Sequence, residues 1–433
     1  MSDRQARDRV VIHGARKCDV HGEADGFWVV FDGDVISAAG TGDGWAAHVS
    51  PAAGRGGNGH AGAGHGDAGH AGAGFGDAGH AGAGFGDAGF GDADVVDAGG
   101  AVLVPGFIDL HGHGGGGFSF DDGTDAIGRA LAVHRAHGTT RSVLSLVTNP
   151  VAELERSVAA IAELAERDPL VLGSHLEGPF LAPGRKGAHN PDFLIEPSAD
   201  IVGRLAAAAG GTLRQVTIAP ELPGALDAVA ALAEAGVVVA VGHTEADEER
   251  ARAAFDRGAR LLTHAFNAMP GIGHREPGPV VAAIRDERVT AELILDGVHV
   301  HPDVARLLLD AADGRVALIT DAMAAAGAAD GRYKLGSLDV AVVDGVARLA
   351  GRDGTPGSIA GSTLTQDQAL RIATRRCGVS LQAAVTAMTW VPARVLGLGG
   401  LLGRLAPGYA ADAVLLDDAC EVRGVWGAGL RLA

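Results

Sequence analysis

Residues of the types that bind cations or move protons recur at the ends of apolar runs in this chain. His111 and His113 end FIDLHGH, Glu177 lies in LVLGSHLEGPF, His243 in VVVAVGHT, His264 in RLLTHAFNAM and Asp321 in VALITDAM. One carboxylate with two imidazoles, Glu177 with His243 and His264, suits a divalent first-row cation, and an open position on such a cation can hold water. Each residue also has a plainer reading. Taken alone, His111 and His113 in their glycine bed favour ordinary loop histidines over ligands. Asp321 reads either as the N-cap of a following helix or, beside a cation, as a base placed to take a proton from water. His175 shares its strand parity with Glu177 and reads as core or as support for a site. His48, His134 and His137 read as surface residues.

The elements that must position these side chains follow from the alternation of the sequence. Strand-like runs (the five above with TTRSVLSLVTN, LRQVTIAPE and AELILDGVHV) alternate with alanine-rich helical stretches such as 125–137, 151–167, 222–235, 246–257 and 302–313. Buried apolar strands in regular alternation with helices predict an α/β fold, a (β/α)8 TIM-like barrel rather than an open sheet. In a barrel the carboxyl ends of all strands converge on one face, where active sites of this fold sit. Strand parity lets His111 and His113 both point into that mouth, so within the series the pair reads as metal-site architecture.

Outside the barrel, residues 9–50 alternate short apolar runs with turn residues, and the tail GRLAPGYAADAVLLD has the same texture. The two ends are expected to join into a small flanking β-sandwich domain, 1–104 with 398–433, around a barrel spanning 105–397. Within the barrel segment, KLGSLDVAVVDGVARLAG predicts a hairpin, followed by helices over 362–376 and 380–397. Between 54 and 92 the chain repeats HAGAGHGDAG and HAGAGFGDAG. Such glycine density predicts a flexible surface insertion.

Composition narrows the class. Hydrophobic residues make up 47% and charged ones 20%, which excludes a fully disordered chain. The formal net charge of −18 removes any general attraction to nucleic acid or anionic membrane, so an anionic substrate needs a local cationic cluster. Cys18, Cys377 and Cys420 have no paired or metal-ligand spacing. The amino-terminal segment has no long apolar core, and no run approaches the roughly 20 apolar residues of a membrane helix. The expectation is a cytoplasmic protein with no nucleic-acid or membrane partner.

The segments PGFIDLHGHGG, LEGPFLAPGRKGAHNP, TIAPE, VGHTEA, THAFNAMPGIGHREPG, LDGVHV, LITDAMAAAG and SIAGSTLT, in this order, resemble the N-acetylglucosamine-6-phosphate deacetylases of the amidohydrolase superfamily. The resemblance implies that Glu177, His243 and His264 bind a principal divalent metal, zinc ahead of iron, cobalt or manganese. It implies Asp321 as general base and acid, and His111 and His113 as ligands of a second metal. Strand four, LRQVTIAPE, has no lysine to bridge two metals, which leaves Glu177 as the bridge. His189, Asn267, the Ala268 backbone, Arg275 and His299 resemble the family's sugar-phosphate contacts, with Arg185 and Lys186 as supporting charge. Arg275 offers a planar fork for phosphate; its plainer reading is a solvated surface residue. The implied reaction is hydrolysis of the acetamido group of N-acetyl-D-glucosamine 6-phosphate to glucosamine 6-phosphate and acetate, in amino-sugar catabolism or cell-wall recycling, by a homodimer. Alternatives are an N-acetylgalactosamine-6-phosphate deacetylase, with the same ligands and clamp, and an N-acyl amino-acid deacylase, with no need of GHREPG. A non-enzymatic scaffold would be expected to lose ligands.

Overall fold

The structure, a computed structural model, describes residues 9–49, 93–351 and 355–433; the 54–92 repeat lies outside the described residues. Eight parallel strands follow one another around the barrel in sequence order: Phe107–Asp109, Thr139–Leu146, Val171–Glu177, Leu213–Ile218, Val238–Val241, Leu261–Leu262, Thr290–Ile294 and Val316–Ile319. The second and third are buried along their whole length, their hydroxyl and imidazole groups included. Helices lie at Thr124–Ala136, Val151–Arg167, Ala225–Glu234, Glu248–Asp256 and Pro302–Ala311, with further ones at Ala199–Ala208 and Gly278–Arg285.

The seam between the first and eighth strands closes just beyond the strands themselves. The Asp321 N–H donates to the His111 carbonyl (2.8 Å) and the His113 N–H to the Ala322 carbonyl (2.7 Å). Beneath them the buried Asp109 carboxylate accepts from Thr320 Oγ1 (2.6 Å) and from the Thr320 N–H (3.2 Å). These bonds set His111, His113 and Asp321 side by side. Ala322, next after Asp321, bridges both Gly112 and Ser362 and no helix starts there, so the N-cap reading of Asp321 falls.

Both chain ends enter one eight-stranded sheet, in which Val102–Pro105 pairs antiparallel with Ala413–Leu416. Its core includes Ile12, Val29, Phe31, Leu103, Leu415 and Trp426. The sheet is clamped to the barrel by Arg141 of the second barrel strand. Arg141 Nε and Nη2 donate to the two oxygens of Asp412 at 2.7 and 3.1 Å, with both side chains at most 10% exposed. Removing one partner would leave a buried charge uncompensated, so Asp412→Ala is expected to cost about 3–5 kcal/mol. Denaturant unfolding reads that loss as a lower midpoint; an unchanged midpoint would show that the pair contributes nothing net.

Three local expectations are revised. The helix expected over 380–397 divides at Thr389 into Leu381–Met388 and Trp390–Val395, because Pro392 has no N–H to return to Met388. The expected hairpin is part of a four-stranded antiparallel sheet, Gly331–Leu335, Leu338–Val343, Val346–Ala350 and Pro356–Ile359. His134 is buried rather than at the surface, and its Nε2 donates to the Gly114 carbonyl at 2.8 Å, steadying the glycine loop after His113. Among the described residues no helix is long and apolar enough to cross a membrane.

Candidate metal centre

Two clusters of potential ligands share one residue. His111, His113, Glu177 and Asp321 form the first, and Glu177, His243 and His264 the second; within each cluster the ligand atoms lie within 4.8 Å of one another. Glu177 Oε1 is 3.1 Å from Nε2 of both His243 and His264 and 3.3 Å from His111 Nε2. Its Oε2 faces His113 Nε2 at 3.2 Å and His189 Nε2 at 3.3 Å. Asp321 Oδ1 lies 3.2 Å from His113 Nε2 and 3.6 Å from His111 Nε2.

The backbone bends sharply to present these groups. His243 (φ 47°), His264 (φ 25°) and Asp321 (φ 47°) all occupy the left-handed region at the ends of the fifth, sixth and eighth strands. Each such residue costs about 1–3 kcal/mol and persists only where its surroundings enforce it, which is common at functional sites.

The donor set fits a divalent cation. His243 Nδ1 donates to the Arg185 carbonyl (2.8 Å) and His111 Nδ1 to Glu292 (3.1 Å), which turns an Nε2 lone pair of each ring inward. The inward Nε2 atoms of His243 and His264 are 3.0 Å apart, and those of His111 and His113 3.2 Å. Lone pairs at that spacing repel unless a proton or a cation lies among them. Charge in the cluster follows the same logic. Burial opposes ionisation of His111 and His113, yet Glu177 and Asp321 hold His111 well above the usual imidazole range and His113 at about 9. Burial pushes Glu177 and Asp321 upward, but His111 foremost draws Glu177 well below and Asp321 below the usual carboxylate range.

A cavity of about 330 Å³ opens over the clusters, lined among others by His113, Glu177, Arg185, His189, His243, His264, Asn267, Ala268, His299 and Asp321. Leu335, Ser358 and Ile359 of the four-stranded sheet complete its wall. His111 lies fully buried beneath. Burial lowers His189 to about 4, and the Thr148 N–H points at its Nδ1 (3.3 Å), so the neutral ring carries its proton on Nε2, facing Glu177. His299 Nδ1 donates to Asp296 Oδ2 at 2.7 Å; burial opposes protonation, but Asp296 raises its pKa overall. Asn267 Nδ2 donates to the carbonyls of His264 and Ala265, and Ala268 sits at φ 50°. Arg275 is exposed and stands outside the cavity lining. A larger cavity, about 540 Å³, lies beside Val316 at the other end of the eighth strand, away from every cluster residue.

Sequence reasoning passed over the carboxylates inside the strands. Asp109 and Glu292 are both buried in the barrel interior, and Gln215 Nε2 donates to Glu292 at 2.8 Å. A charged residue inside a run expected to be buried on both faces is the signal that marks them. His175 is core, held between Ser145 Oγ and Thr217 Oγ1 at 2.8 Å each and kept well below the usual imidazole range by burial.

A parallel barrel with clustered imidazoles and carboxylates at its carboxyl end is the architecture of a metal-dependent hydrolase. Residues 102–430 match the Amidohydrolase family, and the chain belongs to that family. Its relatives include the N-acetylgalactosamine-6-phosphate deacetylase of Escherichia coli O157:H7, 42% identical over 330 residues that cover 75% of this chain and 86% of that one. The N-acetylglucosamine-6-phosphate deacetylase of Homo sapiens is 36% identical over 346 residues, covering 76% and 83% of the two chains. A solved structure of a mutant N-acetyl-D-glucosamine-6-phosphate deacetylase from Mycobacterium smegmatis, in complex with N-acetyl-D-glucosamine-6-phosphate, matches with a TM-score of 0.82 at 41% identity, covering 98% of this chain and 100% of that one.

Proposed function

We propose that this chain hydrolyses the acetamido group of N-acetyl-D-glucosamine 6-phosphate, releasing acetate and D-glucosamine 6-phosphate. What supports the reading is that Asp321 belongs to the ligand cluster and to the cavity wall at once, in a chain whose relatives are amino-sugar-phosphate deacetylases. Glu177, His243 and His264 would hold the principal divalent cation, zinc first, and His111 with His113 a second. When bound, the cation supplies Lewis-acid chemistry, polarising a carbonyl and making water more acidic.

The residues of the chain carry the proton and the orientation. Asp321, kept ionised at neutral pH by the positive charge beside it, whether on His111 and His113 or on a cation they hold, takes a proton from the attacking water as its oxygen bonds to the amide carbon. It returns that proton to the amine nitrogen as the C–N bond breaks. His299, braced by Asp296, and His189, with its Nε2–H inward, are donors for the carbonyl oxygen and for sugar hydroxyls. Asn267 and the Ala268 backbone would orient the sugar ring. Arg185 lines the cavity as a cation for the phosphate; Arg275 would reach substrate in the homodimer we take to be the working form.

Acetate release from the 6-phosphate by purified, metal-containing protein tests the reading, and no release from it or its galacto epimer ends it. A second reading, N-acetylgalactosamine 6-phosphate as the preferred substrate, is favoured by the 42% identical relative and is decided by comparing kcat/KM for the two epimers. Charge-assisted hydrogen bonds contribute about 1.5–3 kcal/mol each. Arg275→Ala is therefore expected to raise KM for the phosphorylated sugar about 10- to 100-fold with little effect on the unphosphorylated one. Equal effects on both sugars would remove Arg275 from phosphate recognition.

A further inference from the structure

Glu292 lies within the seventh barrel strand and is wholly buried. Its Oε2 accepts from His111 Nδ1 at 3.1 Å, and more weakly from the His264 N–H at 3.4 Å; its Oε1 accepts from Gln215 Nε2 at 2.8 Å. Those partners are an imidazole, a carboxamide and a backbone amide, none of them a lysine or arginine. A carboxylate taken this far from water is costly unless charge of opposite sign lies close by. The side of the arrangement that can supply it is the histidine cluster and whatever cation the cluster holds.

We propose that Glu292 is a positioning residue for the cation position formed by His111, His113, Glu177 and Asp321. By accepting the Nδ1–H it fixes one tautomer of His111, and the Nε2 lone pair then faces His113 and Glu177. A carboxylate behind an imidazole also raises its basicity and so its strength as a ligand. Gln215, from the fourth strand, pins Glu292 in turn. The device is selective at the level of the imidazoles, because in the Glu177–His243–His264 cluster His243 Nδ1 meets a backbone carbonyl and Glu292 reaches His264 only through its backbone N–H, not its ring. The inference rests on the proposed second metal position and gives it a built-in support inside the barrel.

The test titrates metal-free full-length protein with Co²⁺, followed by visible absorption and metal analysis. Wild type is expected to bind two Co²⁺ per chain. Glu292→Gln should retain one at wild-type affinity and bind the other about 10- to 100-fold more weakly. In a His111→Asn background Glu292→Gln should add no further loss, because its partner ring is gone. Wild-type behaviour in Glu292→Gln, equal weakening of both positions, or a single Co²⁺ in wild type would each overturn the proposal. If Glu292→Gln does not fold, Glu292→Asp, which keeps the charge but draws it back from His111, should show the same selective weakening; unchanged binding there overturns it too. Failure of the deacetylation reading is separately visible, as wild-type protein that binds both cobalt ions and releases no acetate.

Discussion

Asp321→Asn is expected to lower kcat for acetate release by about 10²- to 10⁴-fold, the usual worth of a positioned proton carrier, while the cation at Glu177, His243 and His264 stays bound. The substitution is nearly isosteric, and asparagine tolerates the left-handed backbone that Asp321 adopts at φ 47°. The seam bonds it makes through its backbone to His111 and Ser362 are therefore retained. What disappears is the ability to take up a proton. Burial would favour the neutral acid, but the positive charge beside it, on His111 foremost or on a cation held there, keeps Asp321 ionised at neutral pH. A base in its charged form at working pH is what attack by water requires, and the amide of asparagine cannot replace it. Asp321 is absent from the Glu177–His243–His264 cluster, so metal analysis should still find that cation in the variant. Turnover near wild type would remove the proton-carrying role from Asp321; loss of the cation together with activity would make it a ligand first.

The position of this aspartate is legible in the sequence for a physical reason. A parallel barrel strand is buried on both faces, so it reads as a largely apolar run, and the last imidazole or carboxylate at or just past its close faces the carboxyl end where the barrel opens. Glu177, His243, His264, His113 and Asp321 all follow that rule and meet at one cavity. Glu292 sits within its strand and Asp109 comes before the two histidines that close its run, so neither follows it, and their side chains support the rim from below. Parity places them inward, yet nothing local says that an inward carboxylate meets an imidazole from a strand far away in sequence. Arg141 and Asp412 were opaque for the same reason: their contact joins positions separated by 271 residues. The division of 380–397 at Thr389, by contrast, was written in Pro392. The exposed setting of Arg275 matches the plainer reading of GHREPG, a solvated surface residue, since local sequence says nothing of where a loop sits relative to a cavity built from distant strands.

Glu177→Gln should be the most damaging single change among the ligands, since it alone strikes both clusters. Its two oxygens reach both: Oε1 faces His243 and His264 and also His111, and Oε2 faces His113. Glutamine keeps the shape but removes the negative charge, and its NH₂ would present hydrogens to imidazole lone pairs on one side or the other. Affinity at both positions should therefore fall by more than the roughly 10- to 100-fold that losing a ligand's hydrogen-bond partner costs. His264→Asn, which reaches one cluster, should weaken only the principal position, and His113→Asn only the second. Wild-type protein stripped by a chelator should recover its activity when a divalent cation is returned, whereas Glu177→Gln should not recover at the same concentration. Metal stoichiometry across the three variants separates the possibilities. If Glu177→Gln lost one cation and kept the other at full strength, Glu177 would serve a single position, and the shared-carboxylate arrangement that joins the two clusters would have to be given up.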